Sequence, residues 1–265
     1  MAAASVAVLP LDVRLTERLA QGLFALAGIA LFGAAAAWAA RGAQFPLRAI
    51  QIDGDLQRNS VSTIRANAMP RLSGNFFSID LARSRAAFES VPWVRRAVVR
   101  RVWPDRLAVQ LEEHRAVALW KAADDNNRLV NSFGEVFEAN LGDVEDDALP
   151  LLAGPEGSAP RVLQMLRELQ PLFAPHDRLV ESLALSGRGS WRVDLDGGVP
   201  IELGRGSDAE VLARARRFVE TLPEVARHFR APLLAADLRH PDGYAIRLRN
   251  VTTPSVAPGA PARKN

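Results

Sequence analysis

The chain has 265 residues, a formal net charge of +3 and no cysteine. The absence of cysteine excludes a disulfide framework and thiolate metal sites, and it suits an oxidising compartment. Arginine supplies nearly all of the cations, since lysine occurs only at Lys121 and Lys264. A charge this close to zero does not favour nucleic-acid binding, and the length allows an N-terminal segment followed by two domains.

The first element is a long apolar segment. Residues 1–18 show no long periodic pattern and are predicted to form a flexible tail. Residues 19–40 carry no charge and are bracketed by Arg18 and Arg41. As a helix they would be about 33 Å long, which is enough to cross a hydrocarbon core of roughly 30 Å. Trp38 lies near the end of this run, where an interfacial indole is favoured, so the sequence predicts a single transmembrane helix.

Two other interpretations of this segment are weaker. The tripeptide at residues 37–39 resembles a signal-peptide cleavage site. However, the apolar run is longer than the apolar region of a cleaved signal peptide, which is usually about 7–15 residues. A buried core helix is disfavoured because the segment is apolar on all sides and is flanked on one side by only a short polar tail. Basic residues lie on both sides of it, so the positive-inside rule does not decide the orientation. A short tail before one long apolar helix is typical of a signal anchor, which predicts a cytoplasmic tail.

Residues 46–115 are predicted to form a small α/β module. Pro46 disfavours continuation of the first helix, and Ser60 and Asp80 are candidate N-caps of two further helices. Valine-rich and alternating patterns predict strands at residues 47–52, 97–103 and 107–112. The element order is strand, helix, helix, strand, strand. The predicted core residues are Phe76, Phe88, Val99, Leu107 and Val109.

This module resembles a POTRA domain of the bacterial division family FtsQ/DivIB. The resemblance is carried by NFFSIDLARSRAAFESVPWVRRAVVRRVWPDRLAVQLEEHRAVALW, in which residues fit the family pattern at Asp80, Leu81, Pro92, Val94, Ala97, Val99, Arg101, Pro104 and Leu107. The family usually has proline where this chain has Ala116. The loss of that residue removes one turn restraint and leaves the expected fold unchanged.

Residues 116–250 are predicted to form a second domain. Hairpins are predicted at 129–137 and at 234–248, helices at 161–173 and from Ser207 to Phe218, and further strands at 149–155, 180–185, 191–195 and 199–203. Residues 143–147 read as an acidic loop, and residues 251–265 as a disordered tail rich in proline and alanine.

The second domain resembles the β domain of the same family, through motifs such as WRVDLDGGVPIELGR and ADLRHPDGYAI. The predicted fold class is α+β, with an N-terminal transmembrane helix, a POTRA domain of βααββ order, and a mixed α/β domain whose sheet is largely antiparallel.

No constellation of residues predicts catalysis, a cofactor or a metal ion. The histidines lack metal-ligand spacing, and no nucleophile or Walker motif occurs. Residues 204–208 precede a helix and could hold a phosphate, but a capped helix start explains them better. Glu112 and Glu113 are adjacent on a strand and therefore point to opposite faces. The acidic residues 143–147 lack the ligand spacing of a calcium loop, so a solvated loop is favoured.

A basic cluster lies between Trp93 and Trp103. Its arginines are Arg95, Arg96, Arg100 and Arg101. On a strand they divide between the two faces, so no continuous stripe forms for nucleic acid or anionic lipid. A solvated and partly ion-paired sheet face is the favoured interpretation.

The resemblance implies a non-catalytic scaffold with one membrane span. Family members of this type lie in the bacterial inner membrane with the C-terminal domains in the periplasm, at the division septum. There they link early and late division proteins, help septal peptidoglycan synthesis, and bind FtsB in complex with FtsL. No nucleic acid or small-molecule substrate is implied. The alternative is a periplasmic module, anchored in the inner membrane, that binds peptidoglycan or acts as an envelope enzyme.

The predicted partner site is the last hairpin. By the resemblance it corresponds to the family segment that receives a strand and a helix of the partner, and its predicted contact residues are Arg239, Gly243, Tyr244, Ala245, Ile246, Arg247 and Leu248. Arg188, in the turn of a preceding strand pair, is a further predicted contact. The last strand is expected at a sheet edge, where unpaired backbone groups can pair with an added strand. The arginines would meet partner carboxylates. The alternative is an edge that is merely protected by its arginines and the proline-rich tail.

Overall fold

The structure is a computed structural model that describes residues 11–41, 45–122, 126–240 and 243–251. The chain divides into two compact units, Met1–Glu113 and His114–Asn265. The predicted boundary between the two domains lies two residues further along, at 115/116. The predicted disorder of the C-terminal tail falls on residues that lie almost wholly outside the described ranges.

The first element is helix α1, Leu11–Arg41. Within it, Leu15–Ala39 is long and apolar enough to cross a membrane, and none of this stretch is buried in the protein. The prediction that the flexible tail extends to residue 18 is wrong for residues 11–18, which are helical. The reason is that these residues contain no glycine or proline, so nothing in them interrupts the helix at the edge of the apolar run.

The first unit continues with the predicted βααββ order. The elements are β1 (Ala49–Asp55), α2 (Val61–Ala68), a 3-10 turn (Met69–Arg71), α3 (Leu81–Glu89), β2 (Val94–Val102) and β3 (Arg106–Glu113). The three strands form one sheet in the order β1-β3-β2. The central strand β3 runs parallel to β1 and antiparallel to β2, which places the start of β1, the end of β2 and the start of β3 at one end of the sheet.

Both predicted caps of this unit are present. The Ser60 hydroxyl accepts a hydrogen bond from the Thr63 amide at 3.1 Å, and Asp80 accepts bonds from the amides of Ala82 and Arg83. Such caps satisfy amides that have no partner inside a helix. The helices pack on one face of the sheet, and the predicted core residues Phe76, Phe88, Leu107 and Val109 are buried, while Val99 is half-buried.

The second unit contains the remaining elements. Its strands are β4 (Ala116–Trp120), β5 (Arg128–Asn131), β6 (Val136–Phe137), β7 (Leu151–Ala153), β8 (Val180–Leu185), β9 (Trp191–Leu195), β10 (Val199–Gly204), β11 (Leu233–Asp237) and β12 (Ala245–Leu248). Its long helices are α4 (Ala159–Phe173) and α5 (Asp208–Phe229).

Two predictions for this unit need correction. Helix α5 does not end at Phe218 but continues through Pro223 to Phe229. The helix extends because Val219 and Leu222 continue the face that packs against the core. Residues 141–147 are not an irregular acidic loop but 3-10 turns, which begin where Asn140 accepts a hydrogen bond from the Gly142 amide.

The strands of the second unit form a nine-stranded sheet among the described residues, in the order β12-β11-β10-β9-β8-β7-β4-β5-β6. Most neighbours are antiparallel, as predicted. The crossovers through α4 and α5 make β7 parallel to β8 and β10 parallel to β11. Both helices cover the same face, where they enclose a core that includes Trp191, Phe173 and Phe218. Strands β12 and β6 are left at the two edges.

Candidate partner-binding site

The predicted partner site lies at one edge of the nine-stranded sheet. Strand β12 is terminal and pairs with β11 alone within the described part of the chain. The strand begins at Ala245, so Tyr244 precedes it. An edge of this kind presents backbone N–H and C=O groups to solvent, which a strand from another chain can pair with.

The side chains of this segment alternate between the two faces of the sheet. Tyr244 and Ile246 pack against the core beneath the sheet, and Leu248 is buried. Ala245 and Arg247 are exposed on the opposite face. The structure therefore uses three of the predicted contact residues for packing, and at those positions only the backbone is placed to meet a partner.

Tyr244 fixes the edge to helix α5. Its ring meets the Phe218 ring edge-on, with centroids 5.2 Å apart and planes at 89°. Its hydroxyl also forms a hydrogen bond with the Thr221 hydroxyl. A charge at this position would enter a packed contact, so a loss of partner binding in Tyr244→Glu would not by itself locate the partner site.

Arg239 is an ion-paired residue. Its Nε and Nη2 donate to the two oxygens of Asp237 at 2.8 and 2.5 Å, and its amide donates to the same carboxylate. Hydrogen bonding from Arg239 lowers the pKa of Asp237 from 3.8 to about 2. The stem of Arg239 lies beside Gly204, where a Cβ would come within 3.0 Å of its Cγ. Arg239 is thus held in place, and most of its charge is balanced within this chain.

The other two predicted arginines are placed differently. Arg247 is exposed on the open face and forms no ion pair within the described residues. Arg188 occupies the turn between β8 and β9, at the same end of the sheet as the start of β12. Three strand spacings separate β9 from β12, or about 14 Å at 4.7–4.9 Å each. A single strand added to β12 would not reach Arg188.

A shallow hollow on the open face adjoins β12, and sequence reasoning did not find it. Its volume is about 380 Å³, and its lining includes Pro200, Ala235 and Ala245. On its rim Arg192 pairs with Asp194 at 3.0 Å and with Glu202 at 3.4 Å. The small side chains create the hollow beside an open edge. The alanines at positions 235, 236 and 245 were a signal for this hollow. The pairing of β10 with β11 through a helical crossover could not be inferred from the sequence.

The other candidate sites are occupied by contacts within the fold. At the start of α5 the Ser207 amide donates to Glu210 at 2.8 Å and the Glu210 amide donates to the Ser207 hydroxyl at 3.3 Å, which is a capping box rather than a phosphate cradle. Hydrogen bonds from the backbone and the side chain of Ser207 to the carboxylate lower the pKa of Glu210. In the first unit, Glu113 accepts from the amides of residues 57, 58 and 59.

Part of the basic cluster is also structural. Arg95 donates to Glu112 at 2.8 Å. Arg101 donates to the carbonyl oxygens of Phe76 at 2.7 Å and of Ile79 at 2.6 Å. Among the described residues there is no group of three or more histidine, aspartate or glutamate side chains that could hold a metal ion.

Comparison with known proteins agrees with this architecture. A family model described as "POTRA domain, FtsQ-type" matches residues 45–114, and one described as "Cell division protein FtsQ/DivIB, C-terminal" matches residues 118–239. The second match ends at Arg239, before β12.

Relatives named "Cell division protein FtsQ" are similar over most of their length. The protein of Thiomonas arsenitoxydans is 39% identical over 94% of this chain and 92% of its own. The protein of Burkholderia pseudomallei is 42% identical over 89% of this chain and 93% of its own. The protein of Bordetella pertussis is 41% identical over 89% of this chain and 92% of its own.

Proposed function

Because the chain belongs to the FtsQ/DivIB family of bacterial cell division proteins, we propose that it is a non-catalytic scaffold of the division machinery. Helix α1 anchors it in the inner membrane, and both folded units lie in the periplasm at the septum. There the second unit binds the FtsB–FtsL complex, and this link helps septal peptidoglycan synthesis.

The observation that carries the proposal is the open edge of β12 beside the hollow. A partner strand paired with β12 would place its alternate side chains over the open face, next to Ala245 and the hollow. Arg247 lies on that face and suits a partner carboxylate. The binding site therefore consists of the outer backbone edge of β12, Ala245, Arg247 and the hollow, with Arg239 as a fixed pair at its end.

The absence of a catalytic role is supported by how the acidic candidates are used. Glu112, Glu113 and Glu210 bind an arginine or backbone amides of this chain. These contacts give the three carboxylates structural roles, which explain their positions without a catalytic one.

Binding to FtsB–FtsL tests the proposal directly. The full chain would be reconstituted in nanodiscs, and its affinity for the complex measured by biolayer interferometry. Ala245→Trp fills the space beside the hollow, and Arg247→Glu reverses the charge on the open face. Each variant is expected to weaken binding at least tenfold, or by about 1.4 kcal/mol. Lysine in place of a partner carboxylate should restore part of the loss caused by Arg247→Glu.

The matched control lies at the opposite edge of the same sheet. Val136→Trp places an equally large ring on β6 and should leave the affinity unchanged. Circular dichroism of each variant would confirm that the units remain folded. Wild-type affinity in both Ala245→Trp and Arg247→Glu would place the partner site elsewhere. Retention by purified sacculi together with no measurable FtsB–FtsL binding would instead favour the peptidoglycan-binding alternative.

A further inference from the structure

The first unit exposes three large aromatic rings outside α1 within its described residues. Phe45 is 40% exposed, Phe77 is 49% exposed and Trp103 is 79% exposed. The rings of Phe45 and Phe77 meet edge-on with centroids 4.9 Å apart. The neighbouring aromatic residues Phe76, Phe88 and Trp93 are buried, so the unit has a core in which aromatic rings are accommodated.

The topology brings these rings to the same end of the three-stranded sheet. Ala49 of β1 and Val102 of β2 both pair with Arg106 of β3. Phe45 lies just before β1, and Trp103 lies just after β2. The Arg48 amide donates to the Asp105 carbonyl oxygen at 2.9 Å, which joins the entering chain to the β2–β3 turn.

The loop that carries Phe77 is held by hydrogen bonds on both sides. The Asn75 carboxamide oxygen accepts from the amides of Phe77 and Ser78 at 3.0 and 2.9 Å. Arg101 binds the loop carbonyls from the other side, and the Phe76 amide donates to the Phe45 carbonyl oxygen at 3.0 Å. Phe77 is therefore held in an exposed position by the loop, while Phe76 fills the core.

This end of the unit is tethered close to the anchor helix. Helix α1 ends at Arg41, and the four residue steps from there to Phe45 span at most about 14 Å. The apolar stretch ends at Ala39, and the headgroup region beyond the hydrocarbon core is about 5–8 Å deep. The tether thus confines Phe45 to the neighbourhood of the bilayer surface.

We propose that Phe45, Phe77 and Trp103 form a membrane-contacting edge of the first unit, which inserts into the headgroup region of the leaflet where α1 emerges. Indole and phenyl rings favour this region because it is apolar on one side and hydrated on the other. Arg48 and Arg106 flank Asp105 at 3.6 and 3.9 Å, which leaves one net positive charge for lipid phosphate. The contact limits the orientations of the unit on its tether. The proposal rests on the membrane anchoring of α1 and not on partner binding.

Tryptophan fluorescence tests this in the full chain. Of the five tryptophans, Trp93, Trp120 and Trp191 are buried, while Trp38 lies in α1 and Trp103 on the proposed edge. The chain would be reconstituted in phosphatidylcholine and phosphatidylglycerol nanodiscs, with and without brominated phosphatidylcholine. Bromine quenches only rings that enter the lipid. In a Trp38→Phe background, the remaining bromolipid quenching should fall at least threefold on Trp103→Phe, and acrylamide in water should quench Trp103 weakly.

Matched variants separate the possible outcomes. In the Trp38→Phe background, the pair Phe45→Ser and Phe77→Ser should reduce the bromolipid quenching of Trp103 at least twofold. Val98→Ser, at an exposed apolar position in the middle of β2, should leave it unchanged. The proposal is overturned if bromolipid does not quench Trp103 while acrylamide quenches it fully, as expected of a free surface or a protein-binding face. Bromolipid quenching of Trp38 in the wild type checks the anchor separately.

Discussion

The two edges of the nine-stranded sheet are built differently. At one edge, β6 contains only Val136 and Phe137 and is too short to accept a long added strand. At the other edge, β12 spans Ala245–Leu248 and pairs on one side only. The first edge is stabilised by polar groups within its own hairpin, and the second by a helix packed beneath it.

The β6 edge depends on one buried amide. Asn131 is fully buried, and its oxygen accepts from the amides of Phe133 and Glu135 at 2.9 Å each. Its nitrogen donates to Glu135 at 2.6 Å and lies 2.8 Å from Nδ1 of His114, whose ring stacks on Phe137 at 4.0 Å. This network forms the turn with groups of this chain alone. Within the residues that the structure describes, the β12 edge shows no such network on its outer side.

The largest effect is expected from removing the support of β12. Phe218 is fully buried and its ring packs edge-on against the Tyr244 ring. Phe218→Ala should therefore lower the free energy of unfolding of the second unit by about 3–5 kcal/mol. Hydrogen exchange of the β12 amides should then accelerate before that of β6. Phe88→Ala, at an equally buried site of the first unit, should cost a similar amount there and leave the β12 amides unchanged. Equal acceleration at both edges in Phe218→Ala would contradict the proposed difference in support.

A smaller effect is expected at the opposite edge. Asn131→Leu leaves the amides of Phe133 and Glu135 without their acceptor in a partly buried setting, at a cost of about 1–3 kcal/mol. Exchange of the β5 and β6 amides should accelerate, while that of β12 and the affinity for FtsB–FtsL should not change. Glu138→Gln, which weakens the exposed ion pair with Arg128, serves as the control with little effect. Unchanged hydrogen exchange of the β6 amides in Asn131→Leu would show that the short length of β6 alone closes this edge.

Much of the fold was predictable because local signals were consistent. Ser60 and Asp80 mark helix starts by capping, and the alternation around Leu107 marks a strand. The extents of α1 and α5 were not predictable, because polar residues precede the apolar run of α1 and Pro223 lies inside α5, and both features are typical of helix ends. Sheet order was also beyond the sequence, since crossovers through helices place strands side by side that are far apart along the chain.

The candidate site was predictable only in part. The position of β12 as the last strand suggested an edge, and the structure places it there. Which of its side chains face inward depends on the helix beneath, so the packing of Tyr244 could not be inferred from alternation alone. The distance of Arg188 from β12 likewise follows from the sheet order. The bidentate pairing of Arg239 with Asp237 depends on the close approach of its stem to Gly204.

The hydrogen bond between Tyr244 and Thr221 also attaches the β12 edge to helix α5. Tyr244→Phe keeps the ring contact with Phe218 and removes only the hydroxyl, so the expected cost is about 0.5–1.5 kcal/mol. Thr221→Val should cost a similar amount, and the double variant less than the sum, because both changes break one bond. Urea unfolding would measure all three. Strictly additive losses would indicate that the two hydroxyls act independently, and reduced FtsB–FtsL affinity in Tyr244→Phe would show that the hydroxyl serves the partner.

The smallest effect is expected at the ion pair beside the β12 edge. The pKa of Asp237 is about 2 in the folded chain against an ordinary value of 3.8, because Arg239 binds the charged form. The resulting stability is therefore fully present above about pH 4 and is lost as the pH falls through about 2.

Asp237→Asn should accordingly lower the free energy of unfolding at pH 7 by less than about 1 kcal/mol, since the pair lies at the surface, and the difference from the wild type should shrink as the pH falls from 4 towards 2. Carbon NMR titration of the Asp237 carboxyl would check the cause, because Arg239→Gln should move its pKa back towards 3.8. A wild-type pKa near 3.8 would mean that Arg239 is not held by Asp237 in solution. Its guanidinium would then be as available to a partner carboxylate as that of Arg247, and Arg239→Glu should weaken FtsB–FtsL binding as strongly as Arg247→Glu.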